Sequence, residues 1–285
     1  MAFVCRPVRA LIATAAVLLA AAAPAQADMC DLSTAGYGCG AGTNQQSFSA
    51  SGAIFQEISR QLTTNNGTQI TGFQPTGTGY VDSFLRIQNN GTEQGYNTDS
   101  RPYQFDQKDP INYTHAISIN EVPKVQISGT WYREFFLDIN EPTATPLISL
   151  DELQIFLSPN PTLNNYSAGK LNGITPIFDL DSTKNNWIKL NYALNGGGSG
   201  KGDMVAFIPD ALFTNTASNP YVYLYSQFGG QNSANTCYCS AGDGFEEWWT
   251  KSMIMPPPQS AVPEPASLLL LGSGVLAAAR RFRKS

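Results

Sequence analysis

Apolar residues recur at every second position in several stretches of the chain, a spacing that predicts strands rather than helices. In "KVQISGTWYREFFLDINE" (124–141), Val125, Ile127, Trp131, Phe135, Leu137 and Ile139 share one parity, broken by Gly129 and Arg133. Gln126, Ser128, Thr130, Glu134 and Asp138 take the other parity, which predicts a half-buried strand or a hairpin. "LDELQIFL" puts Leu153, Ile155 and Leu157 on one side, and "WIKLNYAL" does the same with Ile188, Leu190, Tyr192 and Leu194. "YVYLYSQF" sets Val222, Leu224 and Phe228 against Tyr221, Tyr223 and Tyr225. Turn signals separate these runs at Asn66-Gly67, Asn90-Gly91, Pro159-Asn160-Pro161 and Gly196-Gly197-Gly198. Helix is signalled only weakly, within Ala53–Leu62. The pattern predicts an all-β chain, an antiparallel β-sandwich or jelly-roll-like single domain over residues 28–255.

Two segments depart from this pattern. Arg6 and Arg9 precede an apolar run from Ala10 to Ala23, and Ala25-Gln26-Ala27 follows it. A basic start, a short apolar core and a small-x-small site predict a signal peptide over residues 1–27, read by the Sec translocon and cut after Ala27. Fourteen apolar residues are too few to span a bilayer. At the other side, a Pro-rich linker (256–261) leads to Val262-Pro263-Glu264-Pro265, then to the apolar run Ala266–Ala279 and to Arg280, Arg281, Arg283 and Lys284. As a helix that run measures roughly 21 Å, against a hydrocarbon core of about 30 Å, so it is marginal as a span. The terminal cations would hold it on the cytoplasmic side. Pro263 and Pro265 keep its junction with the body extended.

These residues resemble the PEP-CTERM sorting segment (262–285) of exported proteins in Gram-negative bacteria. The resemblance rests on Val262, Pro263, Glu264 and Pro265, on the hydrophobic helix after them, and on Arg280, Arg281, Arg283 and Lys284. It implies handling by an exosortase, transient anchoring in the inner membrane, and release to the cell surface or the extracellular biofilm matrix.

Charge narrows the partners. Between Asp28 and Ser260 the chain holds 21 Asp and Glu against 11 Lys and Arg, a net charge near −10. That balance disfavours nucleic acid and anionic lipid as partners. No charge run or low-complexity linker interrupts the body before Pro256-Pro257-Pro258, so one domain is expected.

Loss of residues 1–27 removes Cys5 and leaves Cys30, Cys39, Cys237 and Cys239, an even count that predicts disulfides in an exported chain. Cys237 and Cys239 would close a very tight ring on each other, which favours bonds from Cys30 and Cys39 to the C-terminal pair. The spacing fits no zinc ribbon or finger.

Most catalytic patterns fail. "NGGGSGKGDM" (195–204) resembles a phosphate loop, but Asn195 and Gly202 occupy positions that require Gly and Ser or Thr. His115 is the single histidine, and no Gly-x-Ser-x-Gly elbow is present. Glycoside hydrolysis needs two carboxyls about 5 Å or 6.5–9.5 Å apart. Glu134 and Asp138 on one strand face would stand roughly 13 Å apart, and the adjacent Asp151 and Glu152 would point to opposite faces.

Two binding chemistries remain. Asp99, Asp106, Asp138, Asn140, Asp179 and Asp181 place hard oxygen ligands at turns and strand ends, as calcium requires, although none forms an EF-hand. Tyr221, Tyr223 and Tyr225 recur about 6.6–6.8 Å apart on one strand face and would stack on sugar rings. The sequence therefore predicts an exported, non-enzymatic structural or adhesive protein that takes extracellular polysaccharide as partner. A secreted carbohydrate-active enzyme is the alternative.

Overall fold

The stretch 124–141 does form a hairpin, and its turn decides which residues share a face. Lys124–Ile127 pairs antiparallel with Thr130–Asp138, and Ile127 stands opposite Thr130. Ser128 and Gly129 form the loop at φ +48° and +86°, the left-handed pair that a two-residue hairpin turn requires. Cross-strand partners point the same way, so Val125 and Ile127 share a face with Tyr132 and Phe136. Phe135, Leu137 and Ile139 face the opposite side. The shared parity predicted for all six apolar residues is corrected: the turn inverts it. Nor is the longer strand half-buried, because every residue from Tyr132 to Asp138 is buried.

The structure, a computed structural model, describes residues 27–59, 62–63, 69–70, 82–108, 112–195, 202–242 and 244–250. Its strands are, first, β1 (Asp28–Asp31), β2 (Gly38–Cys39), β3 (Ile54–Glu57), β4 (Leu62–Thr63), β5 (Gln69–Ile70) and β6 (Ser83–Ile87). There follow β7 (Glu93–Tyr96), β8 (Ile117–Ser118), β9 (Lys124–Ile127), β10 (Thr130–Asp138), β11 (Leu147–Ser158) and β12 (Tyr166–Ser167). The remainder are β13 (Lys170–Leu171), β14 (Phe178–Asp179), β15 (Asn186–Asn191), β16 (Met204–Pro209), β17 (Tyr221–Phe228) and β18 (Glu246–Trp249).

Two seven-stranded sheets carry the all-β architecture. The first runs β1–β15–β11–β17–β7, with β14 beside β11 and β8 beside β17. The second runs β2–β3–β16–β10–β18–β6, with β9 on β10. Their inner faces meet in one apolar core: Leu153, Ile155, Ile188, Val222 and Leu224 from the first sheet, and Phe55, Phe135, Leu137, Ala206 and Trp248 from the second. Trp248 completes the contact by donating its indole N–H to Ser226 Oγ at 3.0 Å.

Three further expectations change. The pairing is not wholly antiparallel, since β1 lies parallel to β15. The weak helix signal in 53–62 is a strand, β3, whose four residues are all buried between β2 and β16. A strand covered on both faces loses its alternation and cannot be told from a buried helix by period alone. The "WIKLNYAL" alternation stops at Asn191, and Tyr192–Asn195 turns as a 3-10 helix.

The cysteines pair locally, Cys30 with Cys39 and Cys237 with Cys239, which corrects the expected cross-end bonds. Sheet order explains why. Cys30 lies on β1, with β15 between it and β11, whereas the Cys239 carbonyl accepts from Ser149 N–H on the far side of β11. Three strand spacings separate the two, on the order of 14 Å, beyond the reach of a disulfide. Cys30–Cys39 instead joins the first sheet to the second at one margin, with both residues fully buried and their Cα atoms 5.8 Å apart.

Candidate functional site

β17 turns Val222, Leu224 and Phe228 into the core and sends the three tyrosines to the outer face of the first sheet. That face is covered. The segment from Pro159 to Ile174 lies over it and, together with Tyr96 and Phe105, closes a second apolar cluster. Tyr223 is fully buried; its hydroxyl donates to the Asn160 carbonyl at 2.6 Å and accepts the Leu163 N–H at 3.1 Å. Tyr225 stacks on Tyr166 with ring centroids 3.9 Å apart and donates to Gln94 Oε1 at 2.8 Å. Tyr221 is half-buried. The predicted sugar platform is corrected: Tyr223 and Tyr225 are buried within the protein, and Tyr225 stacks on Tyr166. Burial pushes the Tyr223 and Tyr225 phenols far up, and that of Tyr166 up to about 12.

Beside this cluster, β11 carries a bulge between Leu150 and Glu152. The extra residue reconciles core positions of opposite parity, Ile148 and Leu150 before it and Leu153, Ile155 and Leu157 after it. It also aims two acids apart. Asp151 turns to the loop after β17, where it accepts from Gly230 N–H at 2.6 Å and from Gln231 Nε2 at 3.0 Å. Glu152 turns to the β14 end and shares a hydrogen bond with Asp181. Asp179 stands next to them, accepting from Asp181 N–H at 2.9 Å and from Gln154 Nε2 at 3.0 Å. Asp181 accepts the Asn186 N–H at 2.8 Å.

Burial, then the charges of Asp181 and Asp179, pushes Glu152 up to about 7. Burial pushes Asp181 up to about 6, with the Asn186 N–H opposing and the Asp179 charge adding. A pair in such contact holds a proton between its two carboxyls. The sequence concealed this pair because Glu152 lies on β11 and Asp181 in the turn after β14, and the bulge has no signature in the alternation.

Of the residues singled out for calcium, the structure brings together only Asp179 and Asp181. Asp99 caps the Ala116 N–H at 2.8 Å. Asp106 accepts from Asn89 Nδ2 at 2.9 Å and from Gln94 N–H at 3.0 Å. Asp138 is buried on β10, with Asn140 just beyond the strand. Among the described residues, no group of three His, Cys, Asp or Glu side chains is arranged to hold a metal ion. The turn chemistry of Asp and Asn accounts for most of these positions.

None of this geometry carries an address. The address is in the sequence beyond the described residues, where the family model for the PEP-CTERM protein-sorting motif matches residues 261–284. The chain carries a PEP-CTERM sorting motif. Val262, Pro263, Glu264, Pro265, Arg280, Arg281, Arg283 and Lys284 all fall within the match. The PEP-CTERM motif implies export, exosortase processing, and anchoring through this segment before cleavage. It begins soon after β18, the last described strand, which ends at Trp249. Residues 1–26 of the expected signal peptide, the 256–261 linker and the sorting helix lie outside the described residues. Among the described residues no helix is long and apolar enough to cross a membrane. No curated protein and no solved structure matches the chain.

β18 also carries a site that the sequence reading missed. Glu246 opens it and lies within hydrogen-bonding reach of Glu93 on β7 and of Glu141, in the loop after β10. All three are buried. Only their scattered positions were visible in the sequence, where Glu141 closes the stretch "LDINE".

Proposed function

We propose that this exported, surface-associated protein presents its β-sandwich body at the envelope surface or in the extracellular matrix as a non-enzymatic structural or adhesive module. The PEP-CTERM motif at 261–284 is the observation that carries the reading. The local chemistry supports it: the tyrosine hydroxyls and most turn carboxylates are spent on contacts within the protein. Contact with polysaccharide, in this reading, falls to the exposed rings of Trp131 and Tyr238, which are 50% and 65% exposed. Single rings bind weakly, and retention then comes from many copies on one surface.

The test is retention of the purified chain on extracellular matrix polysaccharide. Trp131→Ala with Tyr238→Ala should lower retention and leave the melting temperature in place. Unchanged retention would remove the adhesive part of the reading. The half-exposed Glu152–Asp181 pair favours the second reading, a carbohydrate-active enzyme, because a carboxyl near 7 is suited to proton transfer. Release of reducing sugar that disappears in Glu152→Gln would put that reading first.

A further inference from the structure

The acid cluster at the start of β18 has no part in the reading above. Glu93, Glu246 and Glu141 are 0%, 1% and 4% exposed. One Glu93 oxygen accepts the Asn89 N–H at 2.6 Å, and one Glu141 oxygen accepts the Gly242 N–H at 2.8 Å. The Oε1 atom of each of the three is buried without a hydrogen-bond donor. Two other charged groups face Glu93: Asp106, which repels it, and Lys108, which attracts it. Arg86 is bound to Glu247, the next residue along β18, at 2.7 Å.

Three ionised carboxylates packed away from water repel one another and lose their hydration. A cation or protons would relieve this. Among the described residues no three acidic, His or Cys side chains are arranged to hold a metal ion, so the geometry points to protons. We propose that Glu93, Glu141 and Glu246 form a proton-held latch that fastens the start of β18, the strand leading towards the sorting motif. A carboxyl that keeps its proton becomes an O–H donor, and the orphaned oxygens then serve one another as donor and acceptor.

The titration agrees with the geometry. Burial is the leading cause that raises all three groups, Glu141 to about 7; contact with Glu93 and the Glu141 charge raise Glu246 further and the Glu93 charge raises Glu141, while the hydrogen bond with Glu246 opposes the rise at Glu93 and Glu141. The folded protein therefore holds protons that the unfolded chain has released. The latch is closed at low pH and weakens as pH rises through the folded values. Glu246 faces Ile87 on β6, and Trp248 and Trp249 follow it, so loosening there reaches the core through one short strand.

Hydrogen exchange on the purified full-length chain tests this, with protection corrected for the intrinsic rise of exchange with pH. Between about pH 5 and pH 8, protection of the β18 amides should fall about tenfold or more relative to those of β15. Glu246→Gln should flatten that dependence. Glu93→Gln is the second variant, used if the first does not fold. If β18 tracks β15 across the range, or both variants keep the wild-type dependence, the latch is overturned. Restoration of β18 at about pH 8 by added calcium would also overturn it, since the occupant would then be a metal ion.

Discussion

Trp248 and Ser226 form a hydrogen bond across the interior, indole N–H to hydroxyl at 3.0 Å, with both residues fully buried. It is a polar tie between the facing sheets within an apolar core, and the indole can do nothing but donate. Ser226→Ala leaves that donor buried and unpaired, at an expected cost of about 1–3 kcal/mol. Trp248→Phe adds a cavity. The double variant should cost less than the sum of the singles by roughly 0.5 kcal/mol or more, measured by urea unfolding.

Tyr223→Phe removes the hydroxyl that joins Asn160 to Leu163. The expected result is a loss of about 1–3 kcal/mol in stability, with retention on polysaccharide unchanged. A loss of retention at unchanged stability would return the tyrosine row to the ligand.

Acid groups raised by burial make the fold prefer mild acidity. Glu152 and Asp203 reach about 7, and Asp181 about 6, above ordinary carboxylate values. In that interval the folded state binds more protons than the unfolded one, so stability falls as pH rises through it. Asp210 acts in the opposite sense. Burial alone would raise it, but hydrogen bonds and charge from Lys124 and Arg133 win and hold it below its usual value. Its contribution is lost as pH falls below about 4. Thermal melts should therefore peak between about pH 4 and pH 6 and decline towards about pH 8.

Replacing Cys30 and Cys39 together by serine opens a short loop that joins the sheets. The chain-entropy model gives a loss of roughly 2–3 kcal/mol. Denaturation of the variant beside the oxidised wild type measures it.

Alanine at Pro263, Glu264 and Pro265 together should leave the chain unprocessed in the inner membrane. Cell fractionation with intact-mass measurement checks this, and a variant that reaches the surface with the normal mass change would contradict it.

What the sequence revealed was the alternation itself. Val222, Leu224 and Phe228 face inwards as their spacing requires, because one face of β17 meets the core. Pattern does not say what covers the opposite face, so the tyrosine row reads as an open platform, whereas the Pro159–Ile174 segment lies on it. Where a strand is buried on both faces, as β3 is, alternation vanishes. Ser128-Gly129 and the bulge before Glu152 each shift parity within what read as one register. The acid groupings depend on cross-strand neighbours, and neighbours are a property of sheet order. Glu246 meets Glu93 only because β18 and β7 lie at the same end of the facing sheets. The sorting motif needed no such information, being contiguous in sequence.

The parallel pairing of β1 with β15 also sets an order of events. In a chain exported N-terminus first, residues 28–31 emerge long before 186–191, yet among the described residues they have no other partner in the sheet. Cys30 and Cys39 can oxidise meanwhile, being close in sequence, so the loop is set before its strand is docked. An unpaired strand waiting in this way invites pairing with a second copy. Asp28 and Asp31 bracket it with like charge, which two copies would have to bring together. The awaited segment offers the opposite charge: Lys184 reaches Asp28 at 3.4 Å and Lys189 approaches Asp31 at 3.9 Å. Pairs this exposed add little to the finished fold; their use is to make the late partner the right one.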